Sequence, residues 1–362
     1  MPTPFVSVLI DTYNHERFIE EAVQSVLTQD FPASSREILV VDDGSTDRTP
    51  EILRKFEPQI RILPKQNGGQ ASAFNHGIPE CRGEIVAFLD GDDWWTKDKL
   101  RNVVAAFETH ADVGAVGHGC LMVDTEGKFQ KLYTPKETIQ FNVRTPENTR
   151  LFAEYRCFFG ASKVAYRKAI LDRILPIPEG AVIEADEYLL LLAPFFADAL
   201  VLKEALFHYR LHGGNMYMEG VATEASSRRL YKSLACLVES LTQRVRELGV
   251  PREIDEALLT PIRVETARMR LQLEGGSRWE MFNVERATNQ LFYRHAPVGY
   301  RIFKQLALLM TFLVPAKQFI RLKHWYARNA VRELRSYIGE PTPVEHIVDS
   351  NLEKGYSGSH QS

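Results

Sequence analysis

Three absences narrow the reading of this chain before any motif does. Its four cysteines, Cys81, Cys120, Cys157 and Cys236, stand far apart with no C-x-x-C pair. That spacing offers neither a zinc site nor a redox pair and fits reduced thiols in a cytosolic protein. The longest apolar stretch, Leu306–Val314, is far short of the ~20 residues that span a bilayer, so no transmembrane helix is expected. Met1-Pro2-Thr3-Pro4 carries no basic segment followed by an apolar core, and no secretory signal is expected either. Charge of one sign is also missing. A formal net charge of -3 over 362 residues gives no electrostatic case for coating nucleic acid, so no nucleic-acid partner is expected. Neither G-x-G-x-x-G nor G-x-x-x-x-G-K-[ST] occurs, which argues against a dinucleotide dehydrogenase and a P-loop NTPase.

What is present is a set of apolar runs that end in acids. Ile85-Val86-Ala87-Phe88-Leu89 stops abruptly at Asp90-Gly91-Asp92-Asp93. Such a run reads as a strand buried on both faces of a parallel sheet. Ligands bind outside the carboxyl ends of strands in open α/β sheets, so Asp90, Asp92 and Asp93 are expected to face a crevice. Three carboxylates so close repel one another unless a cation sits among them, and an all-oxygen set suits Mg²⁺ or Mn²⁺. The same design appears twice upstream. Val6–Ile10 ends at Asp11-Thr12-Tyr13-Asn14, and Glu37–Val41 ends at Asp42-Asp43-Gly44-Ser45-Thr46-Asp47. Helical spacing of Phe18, Ile19, Ala22, Val23, Val26 and Leu27 lies between these two strands.

A short strand at Arg61–Leu63 leads into Asn67-Gly68-Gly69, which opens a helix of small residues. Backbone N–H groups there would suit a phosphate, and a plain turn fits equally well. Trp94–Leu100 is read as the start of the next helix, and Val113–Val116 and Cys120–Val123 as two strands. Cys157–Ser162 is read as a strand entering a turn, with a helix from about Tyr166 to Leu171. Glu184-Ala185-Asp186-Glu187 leads into an apolar helix, and Leu200–Leu202 and Leu206–Arg210 complete the strands. From about Glu224 to Tyr337 helical periodicity takes over. The expected division is therefore a catalytic domain at 1–220, a helical domain at 221–340 and a disordered tail at 341–362. Within 301–332, Phe303, Leu306, Leu309, Phe312, Leu313, Trp325 and Tyr326 alternate with Arg301, Lys304, Lys317, Arg321 and Lys323. That composition suits an interfacial helix on an anionic membrane, and equally a packing helix of the second domain.

Taken together, Ser-Val-Leu-Ile-x-Thr-Tyr-Asn, Val-Asp-Asp-Gly-Ser-Thr-Asp, Asn-Gly-Gly with Asn75-x-Gly77, and Leu-Asp-Gly-Asp-Asp resemble the inverting family-two glycosyltransferases of bacterial type. The resemblance covers about Val6 to Asn215 and implies a GT-A fold, a Rossmann-like mixed sheet, here with a helical C-terminal extension. It places Thr12, Tyr13, Asn14 and Asp43 around the nucleotide base with Asp42 close by, though Asp42 and Asp47 by themselves read as turn or cap residues. By the same resemblance Asn67, Gly69 and Asn75 line the donor site, Asp90 and Gly91 approach the ribose, Asp92 with Asp90 holds the metal, and Asp186 is the catalytic base. The reaction implied is metal-dependent transfer, with inversion, of a sugar from a UDP- or dTDP-sugar to a glycan or lipid-linked hydroxyl acceptor. Its setting would be cell-surface glycan assembly in the cytoplasm, at the inner face of the membrane. The alternative is a non-catalytic sugar-binding protein on the same fold. Three departures stand out: Asp11 replaces a common proline, which reads as harmless, Phe74 replaces an arginine that would touch the donor, and Ala185 replaces a glutamate.

Overall fold

In the computed structural model, which describes residues 5–212, 223–315, 317–319 and 321–322, the apolar runs become the centre of one sheet. β1 (Val6–Thr12), α1 (Ile19–Leu27), β2 (Arg36–Asp42), α2 (Thr49–Arg54), β3 (Arg61–Pro64), α3 (Gln70–Gly77) and β4 (Ile85–Asp90) form the first half. Then come β5 (Trp94–Trp95), α4 (Lys99–Thr109), β6 (Val113–Val123), β7 (Phe129–Tyr133), β8 (Ile139–Phe141), α5 (Pro146–Tyr155), β9 (Ala165–Arg167), α6 (Lys168–Ile174), α7 (Ala185–Leu192) and β10 (Asp198–Arg210). The helices α8 (Glu224–Glu247), α9 (Arg252–Leu273), α10 (Arg278–Phe292) and α11 (Val298–Leu313) follow. The strand order is β3-β2-β1-β4-β9-β6-β10-β5, with β7 on β6 and β8 on β10.

Alternation along the strands explains why both faces are covered. Val8 and Ile10 of β1 and Val40 of β2 pack with α1, α2 and α4 on one face, while Leu9, Leu39 and Phe88 pack with α3 and α7 on the other. Parallel pairing of β1 with β2 and with β4 sets Thr12 opposite Asp42 and Asp11 opposite Asp90. The acids therefore share one edge.

Several local expectations change in three dimensions. Trp94–Trp95 is not a helix start but a short strand pairing antiparallel with Phe207 and His208. The two strands expected at 113–123 are one, because Gly117 and Gly119 let Phe158, Phe159 and Thr134 pack against the backbone where a Cβ would come within 3.0 Å. Cys157–Ser162 is not a strand: it forms two 3₁₀ turns, Arg156–Phe158 and Ala161–Lys163. Tyr166 lies in β9 and the helix starts at Lys168. β10 is likewise one strand, with register shifts near Ala205 where the two segments had been separated.

The helical extension packs onto the sheet half. Leu234, Leu237 and Leu241 of α8 and Leu258, Leu259 and Ile262 of α9 are buried in the same core as Phe74, Phe88 and Tyr166. The expected boundary at 220/221, the stretch 323–332 and the tail from 341 lie outside the described residues. No helix among the described residues is long and apolar enough to cross a membrane.

Candidate active site

The edge is built from backbone first. Thr12 is buried at the end of β1, its carbonyl accepts from Asp43 N (2.9 Å), and its Oγ1 lies 3.2 Å from His15 Nδ1. Asn14, with φ of 57°, ties this loop to the next: its N–H donates to Ser45 Oγ (2.9 Å) and its Oδ1 accepts from Thr46 N (2.8 Å). Asp42 accepts from Ser45 N (2.9 Å), the turn-capping role its position suggests. Tyr13 is 44% exposed, so its ring is free to stack on a ligand.

Asp43 differs from its expected role. Its carboxylate accepts from Lys65 Nζ (2.6 Å) and from the N–H groups of Gly68 (3.0 Å) and Gly69 (2.7 Å), which nearly fills its acceptor capacity. It organises the loop that carries exposed Asn67. Gly69 has φ of 82°, and a Cβ there would sit 2.7 Å from the Val182 carbonyl. Asn75 also turns away from the crevice: its amide donates to the Ile177 carbonyl and accepts from Ile177 N, both at 2.8 Å. Phe74 is fully buried and packs edge-on against Phe88 at 5.0 Å, so this position contributes core rather than a donor contact.

The acids are more crowded than the sequence suggested. Asp11, the departure that read as harmless, places a further carboxyl within hydrogen-bonding reach of Asp90. Burial, then the charge of Asp90, pushes Asp11 well above the usual carboxylate range. Burial also raises Asp90, helped by Asp92 and Asp186, up to about 7. Gly91 is packed so closely that a Cβ would lie 2.6 Å from Thr12 Oγ1 and 2.8 Å from His15 Nδ1. Burial pushes Asp92 up too, but the His212 hydrogen bond at 3.0 Å and the nearby His15 imidazole (4.0 Å) outweigh it and hold the carboxyl low. Asp93 departs from expectation: it is 2% exposed and accepts from Arg210 N (3.0 Å), so it fastens β10 to the edge and does not face a crevice. The Arg210 guanidinium lies between Phe18 and Trp94, bonded to the Asp92 carbonyl (3.0 Å) and to Glu21 (2.6 Å). His208 stacks on Trp94.

Asp186 opens α7 across from these groups. Its Oδ2 accepts from Ala161 N (2.9 Å) and its Oδ1 from Glu187 N (3.1 Å). Burial raises its pKa, with those two N–H groups pulling the other way. The strap before it is clamped on both sides, Ala185 N to Gln70 Oε1 (2.9 Å) and Ile183 N and carbonyl to Ser233 Oγ of α8 (3.1 and 2.6 Å). Glu184, with φ of 60°, is buried, and burial beside Glu187, Glu265 and Asp186 pushes it up to about 9. Glu187 pairs with Arg156 (3.6 Å), which also meets Glu265 of α9 (3.5 Å).

The donor set can be tested for a metal. Among the described residues no group of three or more His, Cys, Asp or Glu side chains is placed to hold a metal ion by itself. Yet Asp11 Oδ1 is buried without a hydrogen-bond partner, beside two further carboxylates. One or two protein carboxylates in excess negative charge, with the remaining positions open, is the arrangement by which Mg²⁺-type ions bind together with substrate phosphates. The residues fit such an ion.

Comparison with known proteins agrees with the geometry. The profile described as glycosyl transferase family 2 matches residues 7–175. An uncharacterized glycosyltransferase of Nostoc sp., alr2836, is 34% identical over 239 residues, 64% of this chain and 71% of that protein. The poly(ribitol-phosphate) beta-N-acetylglucosaminyltransferase TarS of Staphylococcus aureus is 31% identical over 56% of this chain, and the aligned part is 35% of TarS. Its 1–349 fragment, solved with UDP-GlcNAc, superposes with a TM-score of 0.51 at 21% identity, covering 85% of this chain and 91% of the fragment. The mannosyltransferase PcManGT of Pyrobaculum calidifontis, solved with GDP-Man and Mn2+, gives 0.50 at 19% identity, covering 93% and 88%. The chain belongs to glycosyl transferase family 2. It is a transferase with the GT-A fold and a helical C-terminal region.

Proposed function

We propose that the chain transfers a sugar, with inversion and with the help of Mg²⁺ or Mn²⁺, from a nucleotide diphosphate to a hydroxyl acceptor. The observation that carries this reading is the opposition of Asp90 and Asp92, at the shared edge of β1, β2 and β4, to Asp186 at the start of α7. TarS and PcManGT, which bind UDP-GlcNAc and GDP-Man, have the same fold. Tyr13 stacks on the base, Asn14 and Asp43 hold the two loops around it, and Asn67 faces the donor from the loop Asp43 organises. Asp90 takes the ribose. A uracil or thymine nucleotide is favoured, supported by TarS, which is solved with UDP-GlcNAc. Asp92, with Asp90 beside it, would hold the ion, which supplies Lewis-acid stabilisation of the diphosphate charge.

Asp186 accepts the acceptor's hydroxyl proton as the oxygen attacks the anomeric carbon. A raised pKa suits that role, because the conjugate acid and the incoming proton are then better matched. Direct attack from the face opposite the departing diphosphate inverts the anomeric centre and requires no protein nucleophile. The non-catalytic alternative is disfavoured because Asp90, Asp92 and Asp186 are all retained, while Phe74 packs in the core and Ala185 is held through its backbone.

The acceptor is a glycan or lipid-linked hydroxyl, met at the inner face of the cell membrane. Support comes from α11, where Ile302, Leu306, Leu309 and Leu313 are 56–70% exposed on one ridge, with Trp279 of α10 at 60%. Residues 298–322 contain no acid and include Arg301, Lys304, Lys317 and Arg321. An apolar ridge on a segment that carries cations and no acid complements an anionic bilayer. Sedimentation with phosphatidylglycerol vesicles is expected to carry the protein down and to be lost in Leu306→Glu/Leu309→Glu; equal sedimentation of both proteins would remove the membrane contact.

For the donor site the test is titration calorimetry with UDP, dTDP and GDP, with and without Mn²⁺. Binding of a pyrimidine nucleotide that needs the ion and disappears in Asp92→Ala is the expected result. No binding under any condition would move the non-catalytic reading to the front.

A further inference from the structure

One turn, remote in sequence from both acids, touches each of them. Gly160 leads into the 3₁₀ turn Ala161–Lys163, which lies against the end of β4 because the Val164 carbonyl accepts from Phe88 N (3.1 Å) and Ala165 pairs with Ala87. From this turn Ala161 N–H donates to Asp186 Oδ2 (2.9 Å). The next residue, Ser162, accepts from Asp90 N (3.0 Å) and donates its hydroxyl proton to Asp90 Oδ2 (3.0 Å). Two bonds between one hydroxyl and one aspartate close a small ring, and that ring fixes the side-chain torsion of Asp90.

The turn is itself held from beneath. Lys99, fully buried, donates from Nζ to the Ser162 carbonyl (2.7 Å) and lies 4.0 Å from the Trp95 ring centroid. Lys163 Nζ fastens the other end to the Cys157 carbonyl (2.8 Å). Burial drives Lys99 toward its neutral amine, with the Asp93 and Asp90 carboxylates opposing that, and a buried polar group of this kind holds the carbonyl it bonds to in place. Ser162 is 3% exposed and meets no solvent that would make its bonds to Asp90 optional. A buried hydroxyl that merely needed satisfying could have bonded to any strand carbonyl. This one bonds to an acid of the donor edge, while its neighbour bonds to the proposed base.

We infer that Ser162 is a positioning residue for transfer: it sets the Asp90 carboxylate, and the turn that carries it spaces Asp90 from Asp186. The inference rests on the proposed reading of Asp90 as a donor contact and Asp186 as the base. It assigns a role to a residue outside the acidic motifs. Loss of the hydroxyl leaves the Asp186 bond in place, because that bond is made by the Ala161 backbone; besides Asp90 it removes a contact with Asp93 of the same edge, so the damage is expected on the donor side. Residues that orient a ligand-binding group characteristically cost about 10–100-fold when removed.

The experiment is steady-state kinetics of the full chain as wild type, Ser162→Ala, Ser162→Thr and Asp90→Asn, with an active donor and acceptor, each assayed below the onset of its own thermal unfolding. Ser162→Ala is expected to lose about 10–100-fold in kcat/KM for the donor with the acceptor KM unchanged. Ser162→Thr, which keeps the hydroxyl, recovers much of it. Wild-type donor kinetics in Ser162→Ala beside an impaired Asp90→Asn would overturn the positioning role while leaving the donor site intact. A loss spread equally over donor and acceptor terms, not recovered by threonine, would reduce Ser162 to a structural residue. If Asp90→Asn itself keeps full donor kinetics, the donor-site reading fails and the inference falls with it.

Discussion

The two halves of the sheet meet at one edge but bring chemistry to it by different means. In the first half, β3, β2, β1 and β4 run parallel in unbroken register, and each of β1, β2 and β4 carries an acid at or next to its last residue. In the second, β9 and β5 run antiparallel to their neighbours and β10 shifts register against β6. There the groups that matter come from turns and helix starts: Ala161, Ser162 and Asp186. A parallel strand with covered faces has only its carboxyl end to offer a ligand, so donor residues follow apolar runs in sequence. The second half has no such rule, and its contacts join residues from 25 to 109 positions apart.

The sharpest way to break this division is Asp186→Asn. Loss of a general base costs about 10²–10⁴-fold in kcat, and nucleotide affinity should stay as it was. Calorimetry showing lost nucleotide binding would mean that the two halves are not separable. In the unmodified enzyme the acid limb of kcat/KM is expected above the ordinary carboxylate value of about 4, since burial raises Asp186 and the base must be unprotonated; activity rises with pH through that limb.

Gly69→Ala tests the seam instead. A side chain at φ of 82° meeting Val182 at 2.7–2.9 Å forces the strap carrying Asp186 away from the donor loop. Backbone strain of this kind costs about 1–3 kcal/mol, so a lower melting temperature should accompany weaker nucleotide binding and slower turnover together. An effect on one without the other would show the seam to be slack.

Glu184→Gln should act on stability with a definite sign. Its folded pKa, about 9, lies above its unfolded value near 4.3, so folding takes up a proton and the native state loses stability as pH rises between those values. Glutamine removes that loss: melting temperatures should match at pH 4.5 and favour the variant at pH 8.5. The smallest effect is expected of Glu265→Gln. This carboxylate is 39% exposed and 3.5 Å from Arg156, a contact worth at most about 1 kcal/mol, and it should shift the acceptor KM only slightly and the donor KM not at all. A large acceptor effect would draw the helical extension into the site itself.

The particular misses show where local pattern stops. Asp93 shares its motif with Asp92, yet the turn between β4 and β5 carries it inward, where the β10 backbone claims it. Asn75 sits beside the glycines of the donor loop, but the helix it belongs to aims its amide at Ile177, 102 residues away. Asp11 looked inert because only the register between β1 and β4 puts it opposite Asp90. Ser162 carried no signal, since a serine in a short turn is the commonest of features and its partners are 63 and 72 residues distant. Tyr13, Asp92 and Asp186, by contrast, sit at places the local pattern already marks: Tyr13 exposed just after β1, Asp92 in the turn after β4, and Asp186 in the first turn of α7.

By itself the sequence determined the parallel first half of the sheet, because an apolar run closed by acids has one stable setting: buried between helices with its charged end at the rim. It determined equally the helical character of the stretch from Glu224 to Leu313, through spacing alone. Tertiary structure alone decided which acids point outward, which are tied down, and what spaces Asp90 from Asp186. Those are matters of register and of which backbone N–H or hydroxyl meets a carboxylate from another part of the chain, and a buried carboxylate takes whatever donor the fold brings to it.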